Sequence, residues 1–166
     1  MRHLRTLGAI SLIVITVACA PLTATTCTTG DVSTSTRYTR LSLLPALAHN
    51  TIHINTFRVS AAPLDGYRCG WIVLTKHLTL LRGSGPIQII EIRNFYTHGR
   101  LVAVHKKIIS NELPISGRYR ARVRLPIPPQ TPYGRYHIVS LLYVRLKPNT
   151  TPILVARANT TFSVVR

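Results

Sequence analysis

Residues 118–127 read RYRARVRLPI, and this stretch decides the fold class. Tyr119, Ala121, Val123, Leu125 and Ile127 take one side of a two-residue repeat, while Arg118, Arg120, Arg122 and Arg124 take the other. Successive side chains of a strand point to opposite faces, so alternation this strict sets one face against a core and the other in water. Residues 135–146 repeat the pattern. Tyr136, Ile138, Ser140, Leu142, Val144 and Leu146 lie on one side, and Arg135, His137, Val139, Leu141, Tyr143 and Arg145 on the other. Were these two strands a hairpin, Arg135, His137, Tyr143 and Arg145 would join the arginine face.

Working outward, the chain from Thr51 reads as strands at 51–60, 70–81, 86–95, 101–109, 117–127, 135–146 and 152–165. Turn-forming residues separate them: Pro63-Leu64-Asp65-Gly66, Arg82-Gly83-Ser84-Gly85-Pro86, His98-Gly99-Arg100 and the proline-rich stretch 126–134. About seven strands and no helical stretch predict an all-β antiparallel sandwich.

Three motifs sharpen this. Phe95-Tyr96-x-x-Gly99-Arg100-Leu101-Val102 reads as a hairpin ahead of a long strand. Pro132-Tyr133-Gly134-Arg135-Tyr136 reads as the approach to a penultimate strand, and Ala158-x-x-Thr161-Phe162-x-Val164 as a last strand. On these residues, from about Ile87 to the C-terminus, the chain resembles a bacterial immunoglobulin-like or fibronectin-like domain. The resemblance implies that residues 46–166 form such a sandwich. It says little about function, because the scaffold hosts unrelated binding roles. The antibody-type Cys…Trp…Cys framework is absent from the sequence.

Charge is lopsided. Asp31, Asp65, Glu91 and Glu112 are the only acids among 166 residues, against 21 lysines and arginines, for a formal net charge of +17. Such a field draws anionic partners. Arg118, Arg120, Arg122, Arg124, Arg135 and Arg145 are the candidate anion-binding set, since guanidinium groups bind phosphate and carboxylate bidentately. A solvated face whose arginine stems shield the core is the alternative. No helix-turn-helix, KH or RNP motif accompanies the charge, which argues against a nucleic-acid module.

The N-terminal MRHLRTLGAISLIVITVACA has a positive start at Arg2 and Arg5 and an apolar run from Leu7 to Ala18. About a dozen apolar residues suit a signal peptide over 1–18, whereas a spanning helix takes about 20. Thr16-Val17-Ala18-Cys19 resembles a bacterial lipobox, departing from it where Thr16 replaces the usual leucine. The resemblance implies cleavage before Cys19, acylation of Cys19, and a lipid-anchored place in the cell envelope facing the periplasm. Cleavage at Ala18-Cys19-Ala20 or near Ala24, giving a secreted protein, and a retained signal anchor are the alternatives. Residues 19–45, rich in threonine and serine, read as a tether, with 41–50 open to a short helix or a first strand. If Cys19 is acylated, Cys27 and Cys69 remain as an even pair and are expected to form a disulfide in an oxidising compartment, the alternative being two free thiols.

The sequence shows no catalytic centre: no Gly-x-Ser-x-Gly elbow and no paired carboxylates for glycoside hydrolysis. Metal-ligand spacing is lacking too, and no cofactor is implied. Asn149-Thr150-Thr151 and Asn159-Thr160-Thr161 fit a glycosylation sequon, which matters only for a eukaryotic or viral surface glycoprotein. The expected function is therefore a non-enzymatic binding or assembly module. Its expected partners are the membrane, through the lipid, and an anionic envelope polymer or another envelope protein. A secreted adhesin-like module and a small hydrolase are its rivals.

Overall fold

The computed structural model describes Cys27 and residues 37–166. The signal segment, Cys19 and the rest of the tether up to residue 36 lie outside the described residues. The described strands are β1 (Arg37–Leu43), β2 (Ile52–Ala62), β3 (Asp65–Tyr67), β4 (Trp71–Arg82), β5 (Gln88–Thr97), β6 (Arg100–Ile108), β7 (Gly117–Pro126), β8 (Gly134–Arg145) and β9 (Ile153–Val165). A short 3-10 turn, Ser110–Glu112, precedes β7.

They form two packed sheets, β1-β7-β4-β2 and β3-β9-β8-β5-β6. Every pairing is antiparallel except that of β3 with β9. The run β9-β8-β5-β6 has the G-F-C-C′ order of an immunoglobulin-like sandwich, and β2-β4-β7 has the A-B-E order of its second sheet. The fold is an immunoglobulin-like β-sandwich, with β1 occupying the position beside strand E.

Two strands were not fully legible in the sequence. Arg37–Leu43, where the sequence reads as tether with only 41–50 open to a short helix or a first strand, is β1: it pairs with β7 from Arg37↔Arg122 to Leu43↔Gly117. Its polar composition hid it, because an edge strand needs only occasional inward residues. Tyr38 supplies one, and its backbone N–H donates to Glu112 Oε2 at 2.9 Å. Asp65–Tyr67, read as part of a turn, is β3, bonded to Ser163–Val165.

The hairpin of residues 117–127 with 135–146 that would have joined the two arginine sets does not form. β7 and β8 lie in different sheets. Pro126 ends β7, and Pro128, Pro129 and Pro132 fall between the two strands; a segment without those N–H donors cannot continue a ladder, so it crosses from one sheet to the other. At the far end of the crossing, Tyr136 donates its hydroxyl to Pro132 O at 2.9 Å and stacks on Phe162 with ring centroids 5.1 Å apart. This is the tyrosine corner of immunoglobulin-like sandwiches, and it gives the Pro-x-Gly-x-Tyr motif its physical content. The motif at Phe95–Val102 is the β5–β6 hairpin, whose turn puts His98 at φ 49 and Gly99 at φ 73. Positive φ at both central residues matches the right-handed twist of the strands.

The inner faces enclose two apolar clusters. One gathers around Leu78, Leu80, Ile89, Tyr119 and Leu142; the other around Ile72, Leu74, Val123, Ile138 and Phe162. Between them the core is ionic.

Candidate functional site

The outer face of the four-stranded sheet is built from cross-strand rows. One row reads Arg37, Arg122, Thr75, Ser60 across β1, β7, β4 and β2; the next reads Thr39, Arg120, His77, Arg58; a third reads Ser42, Arg118, Thr79, Thr56. Arg124 lies beyond them, its guanidinium 5.5 Å from the Trp71 ring centroid. Six arginines therefore share one face with a histidine and six hydroxyl side chains. The described carboxylates Asp65, Glu91 and Glu112 lie elsewhere. Alternate residues on a strand are about 7 Å apart, so Arg118 to Arg124 span about 20 Å. Shallow depressions open between the side chains: about 630 Å³ beside Arg58, His77 and Arg118, and about 370 Å³ beside Arg37, Arg120 and Arg122.

Of the sequence-predicted set, this face holds Arg118, Arg120, Arg122 and Arg124 but neither Arg135 nor Arg145. Those two are on β8, on the outer face of the other sheet, because the sandwich separates β7 from β8. Arg135 lines a broad basin of about 790 Å³ with Tyr96, His98, His137 and Arg157, while Arg145 lies at the opposite end of β8, across from Gln88. Arg37 and Arg58, which the sequence reading left out, take their place. Arg58 was legible from its parity with Ser60; Arg37 was not, because its strand was read as tether.

Cys27 and Cys69 form a disulfide, with Cα atoms 5.1 Å apart and 42 residues between them in sequence. Cys69 N–H donates to Ile127 O at 2.8 Å, which ties the bridge to the start of the proline crossing.

The sequence reading also missed the ionic core. Lys76 on β4 has the parity of Leu74 and Leu78, and Glu91 and Arg93 on β5 have the parity of Ile89 and Phe95, so all three point inward. Charge at apolar parity was the signal that would have found them. Small neighbours make room: Ala121 stands across from Lys76, and Ser140 across from Arg93. Lys76 Nζ is hydrogen-bonded to Glu91 Oε1. Arg93 Nε is 3.9 Å from the same oxygen, and its Nη2 lies 2.8 Å from His105 Nδ1 on β6. Desolvation, opposed by the Glu91 charge, lowers the Lys76 ammonium to about 8. Burial and then the Arg93 charge hold His105 below its ordinary value, and burial followed by the Glu91 charge raises the Tyr38 phenol. Two buried cations share one buried carboxylate, and the cost of taking all three charges out of water offsets much of their mutual attraction. Among the described residues no group of three or more His, Cys, Asp or Glu side chains could hold a metal ion.

No protein-family model and no curated protein matches the sequence. Solved structures that resemble the chain include a CARDB domain from Pyrococcus furiosus in complex with di-metal ions, at 13% identity and a TM-score of 0.42, covering 69% of this chain and 92% of that one. The alkylpurine DNA glycosylase AlkC of Pseudomonas fluorescens matches at 13% identity and a TM-score of 0.38, over 69% of this chain and 30% of that chain. The CooA pilin subunit of enterotoxigenic Escherichia coli matches at 12% identity and a TM-score of 0.28, over 79% and 99%. At such values none of these proteins' roles is carried over.

Proposed function

We propose that the chain is a bacterial cell-envelope lipoprotein, anchored by an acylated Cys19 and facing the periplasm, whose sandwich binds an anionic envelope polymer without catalysis. The observation that carries the binding reading is the outer face of the four-stranded sheet, with its six arginines and no described carboxylate. Arg37 and Arg122 stand directly opposite each other across β1 and β7. Like charges in that relation destabilise a sheet, and an anion lying across them offsets the repulsion. Hydroxyls between the guanidiniums add donors for phosphate or sulfate oxygens.

The test uses heparin as a soluble anionic polymer. Replacing Arg120 and Arg122 by glutamine is expected to weaken binding and flatten its dependence on salt. Unchanged affinity at low salt would overturn the polymer reading. The anchor is tested separately by intact mass: a chain beginning at Cys19 with added acyl mass supports it, and an unacylated chain beginning elsewhere removes it.

A further inference from the structure

An apolar cavity of about 430 Å³ opens where the proline crossing passes between the sheets. Its floor is the core itself, with Ile72 0% and Phe162 8% exposed. Phe95, Ala103 and Leu125 form the walls. The cavity lies between strand edges: among the described residues the β1–β7 pairing reaches no further than Arg37↔Arg122, so the last residues of β7 have no described neighbour on that side, and β6 is the edge of the other sheet. The volume lies within the range of about 300–1,000 Å³ usual for small-ligand sites.

The lining and the rim say what fits. No acidic residue lines the cavity. Arg68 is outside the lining but adjoins it at Thr131, donating from Nε to Thr131 O at 2.7 Å and lying 3.8 Å over the Tyr133 ring, with Arg166 5.8 Å from the same ring. An added peptide strand suits the cavity poorly. It needs pockets about 7 Å apart along a donor-bearing edge; β6 offers an edge, but here there is one compact hollow whose opposite wall is Pro126, Pro128 and Pro132, which carry no N–H. A flexible hydrocarbon chain needs neither.

We propose that this cavity binds the hydrocarbon chain of a free fatty acid, with the carboxylate held at Arg68. The inference is independent of the arginine sheet face.

The experiment uses the mature chain carrying Cys19→Ser, which has no acyl group of its own, and cis-parinaric acid as the fluorescent probe. The expected result is saturable binding of one probe per chain, displaced by palmitate. Ala103→Trp, which fills the cavity from an exposed strand, is expected to weaken binding by about tenfold or more. Arg68→Gln is expected to weaken palmitate while sparing hexadecanol, which has no carboxylate. In the unsubstituted domain, palmitate is expected to shift the NMR signals of Phe95 and Phe162, a readout that does not depend on any cavity variant folding. Binding that never saturates, full affinity in folded Ala103→Trp, or shifts confined to the arginine face would each overturn the proposal, as would occupation by an extended peptide in preference to palmitate.

Discussion

Burial lowers the Lys76 ammonium to about 8 from its ordinary 10.5, and the Glu91 carboxylate lying against it opposes that fall. The sign follows from proton binding. Between those values the unfolded chain binds the proton more tightly than the folded one, so stability rises as pH rises. Tyr38, raised above its ordinary 10, sets the upper limit, since above that pH the folded chain retains a proton that the unfolded chain loses. From pH 8 to 10 the unfolding free energy is expected to increase by about 2 kcal/mol. Urea titrations at the two pH values check this, with Lys76→Met as the control in which the rise disappears. An equal rise in that variant would assign the effect to another group.

At the scale of elements, β1 and β7 place arginine opposite arginine at Arg37↔Arg122. Directly opposed like charges on exposed strands cost about 0.2–1 kcal/mol. Arg122→Thr is therefore expected to stabilise the domain by about that amount while weakening heparin binding. Parallel measurements of thermal unfolding and polymer affinity check the trade. A variant that loses stability would show that the Arg122 stem matters more for packing than its charge does for repulsion. The same pair shows why part of the face was hidden. Parity marked Arg118 to Arg124 as outward without any knowledge of neighbours. Arg37 became a member only by pairing with β7, and Arg135 and Arg145 left the set when β8 joined the other sheet.

Across the whole molecule, the disulfide links the segment preceding β1 to the connection between β3 and β4. Closing a loop with 42 residues of separation is expected to stabilise the domain by roughly 3–4 kcal/mol on loop-closure entropy. Thermal unfolding with and without reductant, repeated on Cys69→Ala, measures it; a variant insensitive to reductant and as stable as the oxidised parent would remove that contribution. The net charge works in the opposite direction. Removing residues 1–18 deletes Arg2 and Arg5 and leaves 17 − 2 = +15, a self-repulsion that the bridge helps to contain.

By itself the sequence determined the fold class, seven of the strands to within a few residues, and the outward turn of four arginines. Those features depend on period-two alternation and turn chemistry, which are local. It also contained the parity of Lys76, Glu91 and Arg93, although charge at apolar positions is recognised as core only once opposing sheets supply partners. Tertiary structure alone decided that Arg37-Tyr38-Thr39-Arg40 would join β1, that β7 and β8 would part, and that a cavity would open between two strand edges. Each of these depends on which strand lies beside which. Backbone pairing is blind to side-chain identity, so the choice is made by the proline crossing and the packing of both sheets, across separations that no local pattern records.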